Sequence, residues 1–176
     1  DDLVAWLERN AQKITQKHPG NPQFKGMYGA IAYQEAKQVW REQDSFGNLA
    51  KFFCYRLNAE ARLSASNPPN NIDFARQNYQ HPIHWMYADD ELESRISKYF
   101  RRAFDKDLIV NRAAGNTIPL HAGEKPQLEE NEDRVSKTYL EKLAKIPQLQ
   151  EQGDGMRSFV GVLLHTLVAN HSIVLL

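Results

Sequence analysis

Apolar residues recur at helical intervals over several stretches of the chain and gather in strand-like runs between them. Near the start, Leu3, Val4, Leu7, Ala11 and Ile14 keep helical spacing, with acids at one end and Lys13 and Lys17 toward the other. That polarity suits the helix macrodipole and predicts a helix ending near His18-Pro19-Gly20-Asn21-Pro22. A second helix with a thin apolar face is expected over 30–43. The aromatic run from Phe52 to Leu57 reads as a strand, Ser66-Asn67-Pro68-Pro69-Asn70-Asn71 reads as a loop, and 71–87 has no clear period. The strongest isolated helix is Asp89 to Phe104, with Leu92, Ile96, Tyr99, Phe100 and Ala103 on one face. Asp89, Asp90 and Glu91 fill its first turn and Arg101 and Arg102 its last, and its polar face is expected to be wet.

Leu108 to Arg112 and Thr117 to His121, joined by Ala113-Ala114-Gly115-Asn116, predict a β-hairpin whose second strand Pro119 pushes toward an edge. The acidic run Glu129-Glu130-Asn131-Glu132-Asp133 is expected to open a helix carrying Val135, Tyr139, Leu143 and Ile146, stopped by Pro147. The polar turn Gln150 to Gly155 then leads directly into Met156, Phe159, Val160, Leu163, Leu164, Leu167 and Val168, a helical stripe of about four turns. Asn170-His171-Ser172 breaks it, and Ile173 to Leu176 forms an aliphatic run of the kind found in buried parallel strands. The expected fold class is therefore α/β.

With 176 residues the chain is one domain or a little more, long enough for a core of its own. The 22 basic and 22 acidic side chains cancel, so no global field draws it to nucleic acid or an anionic membrane. Its lone cysteine, Cys54, rules out an internal disulfide and a cysteine-only zinc site, and fits a reducing compartment, with the cytosol as the expectation. The apolar C-terminal stretch is interrupted by His165, Asn170, His171 and Ser172 before the length a membrane span needs. The start at Asp1-Asp2-Leu3, without Met or a signal-like segment, and the apolar end at Leu176 lead us to expect a fragment.

The glycine turn carries the clearest chemistry. A helix opening at Gly155 presents free backbone N–H groups and the positive end of its dipole, and glycine lets an anion come close. Arg157 and Ser158 could add a charge and a hydroxyl. A Gly-x-Gly turn before a helix is more often plain capping, so this pattern alone leaves both readings open.

The string Gln152-Gly153-Asp154-Gly155-Met156-Arg157-Ser158, its amphipathic helix and the run Ser172-Ile173-Val174-Leu175-Leu176 together resemble the signature motif, signature helix and Walker B strand of ABC-type ATPases. The nearest branch is that of the OLD-like and SMC-like AAA ATP-binding proteins. The resemblance implies a P-loop NTPase fold with helical insertions, and an ATP and Mg²⁺ sandwiched between two heads of a dimer. It places Gly153, Asp154, Gly155 and Met156 on the Ser-Gly-Gly-Gln core of the signature, with Arg157 and Ser158 beside it as nucleotide-binding candidates. Gly153 stands where the family has a phosphate-binding serine and Asp154 where it has a glycine, so backbone donors rather than side chains would carry the role. No glycine in the chain is followed by lysine, so residues 1–176 contain no P-loop. The resemblance implies that the P-loop precedes Asp1 and that an Asp-Glu pair follows Leu176, which leaves no catalytic residue within the chain. It also implies a role in anti-phage defence or DNA repair, with DNA or a nuclease as further partners.

Other patterns are weaker. His81-Pro82-Ile83-His84 spaces two imidazoles three apart without a completing pair, so surface histidines are expected rather than zinc. His165 reads as a packing histidine. Arg95, Lys98, Arg101, Arg102, Lys106 and Arg112, with Tyr99 and Phe100, form a basic stretch that suits either a solvated helix face or nucleic acid. Asn58-Ala59-Glu60-Ala61-Arg62-Leu63 carries no assignable role. The alternative reading of the whole is a non-enzymatic α-helical interaction module.

Overall fold

The computed structural model describes residues 2–14, 20–26, 29–42, 44–77, 79–130, 132–168 and 173–175. Helix α1 (Asp2–Asn10) is followed by β1 (Gln12–Ile14), β2 (Gln23–Gly26), β3 (Gly29–Ala32), α2 (Tyr33–Glu42), the short α3 (Ala50–Phe53) and β4 (Cys54–Arg56). There follow α4 (Ala59–Ala65), α5 (Pro82–Ala88), α6 (Asp90–Phe104), β5 (Asp107–Val110), β6 (Leu120–Gly123), α7 (Lys137–Leu143), α8 (Asp154–Leu167) and β7 (Ile173–Leu175). The fold is a mixture of helix and sheet. It divides into two compact units, 1–56 with 170–176, and 57–169, so that the second is inserted in the chain between β4 and β7.

In the first unit β1, β2 and β3 form an antiparallel meander, and Leu3 and Leu7 of α1 join Phe24, Ile31, Ala36, Leu49 and Phe52 in one core. The expected first helix is therefore shorter than its apolar stripe. Lys13 and Ile14 leave it to pair with Phe24 and Gln23, because ladder hydrogen bonds are available there once Leu7 has completed the buried face. Lys17 and His18-Pro19 lie outside the described residues. The helix expected over 30–43 starts only at Tyr33, after β3 has used the preceding residues in pairing with β2. Likewise Phe52 and Phe53 end a helical turn, and only Cys54–Arg56 is strand. That strand runs parallel to β7, pairing Cys54 with Ile173, Tyr55 with Val174 and Arg56 with Leu175. The parallel strand expected after Asn170-His171-Ser172 is thus present. It has one neighbour among the described residues, so the inner position expected for it is not found there, and Val174 is half-buried.

The second unit is layered around the β5–β6 hairpin. Register pairs Leu108 with Ala122, Ile109 with His121 and Val110 with Leu120. Alternation then sends Leu108, Val110, Leu120 and Ala122 into a core with Ile83, Met86, Leu92, Ile96, Phe100, Val160 and Leu164, while Ile109 meets Tyr139 and Leu143 of α7 on the other face. The hairpin expected from Leu108 and Thr117 thus forms, but its second strand begins after Pro119, which has no N–H for a ladder. Thr117 instead makes an isolated bridge with Asn70.

Helix α6 keeps its predicted span, with Asp89 as N-cap and Asp105 in a left-handed conformation closing its end. Three of its positions differ from expectation, and one of them is Ala103, which is exposed although its spacing puts it on the apolar face. Tyr99 is 42% exposed rather than in the core, and Glu93, on the supposedly wet face, is 2% exposed. The acidic run 129–133 does not open α7, which starts after its N-cap Ser136 and leaves Val135 52% exposed. Clustered carboxylates repel one another without any apolar face to gather them, whereas the Ser136 hydroxyl accepts from Tyr139 N and starts the helix locally.

Candidate functional site

The glycine turn is built by two consecutive helix starts. Leu149–Glu151 makes one 3-10 turn, tied at its head where Gln148 N donates to Glu151 Oε2 at 2.9 Å. Leu149 is fully buried and anchors this turn in the core. Gln152 extends outward and accepts from Lys106 Nζ at 3.3 Å. Gly153 then serves as N-cap of α8 with φ −64° and ψ 154°, and a glycine cap offers no side-chain acceptor. Met156 N donates back to Gly153 O at 3.0 Å, so the N–H groups of Asp154 and Gly155 are the ones left to solvent or to an incoming acceptor. A Cβ added at Gly153 or Gly155 would meet nothing, so the approach to this turn is open.

The six candidate residues divide by environment. Gly153, Asp154 and Gly155 are exposed, Met156 packs against the core, and Arg157 and Ser158 are half-buried. Arg157 is already engaged. One guanidinium nitrogen lies 3.1 Å from Asp154 Oδ1 and the other donates to Asn67 Oδ1 at 3.2 Å. Asp154 is well placed for the dipole but repels anions, and its pairing with Arg157 cancels that charge locally. The turn therefore offers backbone donors with a near-neutral rim.

The basic stretch does not act as a unit. Arg101 pairs with Asp107, Lys106 with Gln152, and Arg112 with Asp90 and Glu93, while Arg95, Lys98 and Arg102 are exposed and Phe100 is in the core. His81 and His84 are not surface histidines. His81 caps α5, its Nδ1 accepting from Ile83 N at 3.2 Å, and His84 is 2% exposed. The Nδ1 of His84 accepts from Gln80 N and His81 N, so its proton is on Nε2, which donates to Asn70 O at 3.0 Å. Burial, then the neighbouring His84 and His165, lowers the pKa of His81 to about 4. His165 is itself buried, at 4% exposure.

Sequence reasoning missed the ion cluster around Glu93. Its Oε1 accepts from Val110 N at 3.0 Å and from Arg134 at 2.6 Å, and its Oε2 accepts from Arg112 at 2.8 Å and Arg134 at 2.6 Å. Exposed Asp90 completes the group, its Oδ1 accepting from both arginines. Burial would raise the pKa of Glu93, but the bonds from Arg134, Val110 N and Arg112 outweigh it and hold the carboxyl below its ordinary range. This cluster fastens the segment before α7 to α6 and β5.

Among the described residues no group of three or more His, Cys, Asp or Glu is arranged to hold a metal ion. No helix among them is long and apolar enough to cross a membrane. Comparison with protein-family models, curated proteins and solved structures finds no match to this chain.

Proposed function

We propose that this chain is the signature-bearing part of an ABC-like ATPase head, offering the Gly153–Ser158 turn to an ATP held by a second head. The observation that carries the reading is the order of parts from Gln150 onward: an open glycine turn, the 14-residue helix α8, then a strand running parallel to an earlier one. That order matches the sequence resemblance to a signature motif, signature helix and Walker B strand. In this reading the fold is part of a P-loop NTPase domain.

The residues fit one side of a nucleotide site. Backbone N–H groups of the first turn of α8 would meet phosphate oxygens, and the absence of side chains at Gly153 and Gly155 permits that approach. Asp154 is held by Arg157 and kept from acting as an unpaired anion at the rim. ATP supplies the transferable γ-phosphoryl group, and the turn contributes position and electrostatic stabilisation. The P-loop, the carboxylates and the ligands of Mg²⁺ would come from outside these 176 residues. Service in anti-phage defence or DNA repair, with DNA or a nuclease as further partner, is the wider role this reading suggests.

Gly155→Glu in the full-length protein that carries this chain tests the proposal. The position is open and within a helix, so the variant should fold with stability within about 1 kcal/mol of the parent. Its carboxylate would repel phosphates and block the backbone donors. ATP affinity should be retained while ATP-dependent dimerisation and turnover disappear. Wild-type turnover in the folded variant would end the reading, as would an unmutated protein that binds no ATP. Unchanged self-association without any response to ATP would favour the interaction module instead.

A further inference from the structure

The stretch Asn58–Leu63, to which the sequence gives no role, begins α4, capped by Asn58 Oδ1 accepting from Ala61 N at 2.8 Å. The far end of α4 meets the glycine turn from both sides. Upstream of the glycines, Gln150 Nε2 donates to Ser66 O at 2.8 Å, and downstream Arg157 donates to Asn67 Oδ1 at 3.2 Å. Two adjacent residues thus bracket the whole segment from 150 to 157.

The bracket is itself firm. Ser66 is fully buried, its hydroxyl donates to Leu63 O at 2.7 Å, and Asn67 N donates to Ser64 O at 3.1 Å. One turn further along α8, Gly161 lies so close to α4 that a methyl group there would collide with the backbone of Arg62. The two helices therefore have little freedom to slide, and the position of the Ser66–Asn67 turn is passed on to the glycine turn.

We propose that Ser66–Asn67 is the positioning element of the glycine turn, with Asn67 acting through Arg157 and Ser66 through Gln150. The proposal rests on the nucleotide reading above and adds what sets the geometry of the turn. Asn67 touches no nucleotide in this scheme. By holding one arm of Arg157 it leaves the other on Asp154, which fixes the first turn of α8 and keeps its amides aimed outward. Loss of Asn67 frees Arg157 and Asp154 to move together. Catalytic competence then falls without a change in the pocket that holds the nucleotide.

The test compares Asn67→Ala and Asn67→Asp in the full-length protein by hydrogen exchange, ATP-dependent association and steady-state turnover. In Asn67→Ala the amides of residues 156–159 should exchange about five- to tenfold faster, the order expected from losing one half-exposed hydrogen bond of ordinary strength. Those of residues 96–100 in α6 should be unchanged, which separates local loosening from global destabilisation. Asn67→Asp retains an acceptor for Arg157 and should restore protection. In Asn67→Ala, kcat and association should fall while KM for ATP holds. Unaltered exchange at 156–159 overturns the proposal, and so does faster exchange accompanied by wild-type association and turnover. If the unmutated protein does not respond to ATP, the nucleotide reading fails. The exchange comparison then decides positioning alone, faster exchange with rescue by Asp supporting it and unaltered exchange overturning it.

Discussion

Helices α6 and α8 both begin on an aspartate, Asp90 and Asp154, but the residue before each differs, aspartate at 89 and glycine at 153. At α6 the Asp89 carboxylate accepts from Glu91 N at 2.9 Å and Leu92 N at 3.0 Å. Asp90 is taken up by Arg112 and Arg134, and Glu93 behind it is buried in the same cluster. The start of α6 is thus sealed by the protein's own groups. At α8 the cap has no side-chain acceptor, Gly155 is bare, and the side-chain tie of the first turn runs sideways through Arg157. Of the two equivalent donors at α8, Met156 N turns back to Gly153 O at 3.0 Å and Gly155 N is presented outward. The contrast shows that acidic residues in a first turn do not distinguish an anchoring helix start from an accessible one; the cap does.

The sealed end can be broken most severely at Glu93. Glu93→Ala removes the acceptor of Val110 N and leaves two largely buried guanidinium groups with the exposed Asp90 as their shared carboxylate and Val110 O as a neutral acceptor for Arg134. Uncompensated buried charge costs about 3–5 kcal/mol, so denaturant unfolding should show a loss of that order. A change below about 1 kcal/mol would mean the cluster is peripheral to stability. The contrast with α8 is sharp, since Asp154→Ala removes an exposed carboxylate and leaves Arg157 its bond to Asn67, so unfolding should be almost unmoved.

Helix α5 is a third kind of start, sealed by a group that titrates. His81 must stay neutral to accept from Ile83 N, and its pKa is lowered from 6.5 to about 4 by burial, by His84 and by His165. The folded state therefore favours the neutral ring. Its contribution is complete above pH 6.5 and is lost as pH falls through 4, amounting to up to about 3 kcal/mol at roughly 1.4 kcal/mol per pH unit. Stability measured from pH 7 to 4 should decline more steeply in the wild type than in His81→Asn, which caps without titrating in this range. Parallel curves would remove His81 as the cause.

Much of the second unit was legible because its signals are local. The apolar period of 89–104 and the glycine turn before Met156 each lie within one element, and the structure places α6 and α8 on them. His81-Pro82 also holds a readable cue, a capping side chain followed by proline at the first helical position, which the spacing of two imidazoles does not express. Glu93 was not legible. Its partners Arg112 and Arg134 lie 19 and 41 residues away, and only the packing of α6 on β5 brings them together. The same holds at the glycine turn, where the ties of Gln150 and Arg157 to Ser66 and Asn67 span 84 and 90 residues. In the first unit Lys13, Ile14 and Phe53 were misassigned because short segments take the conformation their neighbours reward, and β1 and α3 have only three and four residues.

The two caps themselves allow the finest test. Asp89→Ala should cost about 1 kcal/mol, because two first-turn amides lose their acceptor at a start packed against the Glu93 cluster. The reciprocal change, Gly153→Ser, supplies α8 with the acceptor it lacks, and because glycine is already a fair cap the gain should be only a few tenths of a kcal/mol. A methylene added there meets nothing, and a φ of −64° suits any residue, so no strain offsets that gain. Stability and function should therefore part company at this position. If α8 starts openly only because glycine is tolerated, Gly153→Ser stabilises slightly and nothing else changes. If the turn receives phosphate, the serine hydroxyl stands where the resembling family has one, and ATP-dependent association of the full-length protein should be kept or strengthened. Gly153→Asp gives the same or better capping but adds a negative charge, and association should fall. Equal association in the Ser and Asp variants, with both folded, would show that no anion approaches the turn and would leave the contrast between α6 and α8 a matter of capping alone.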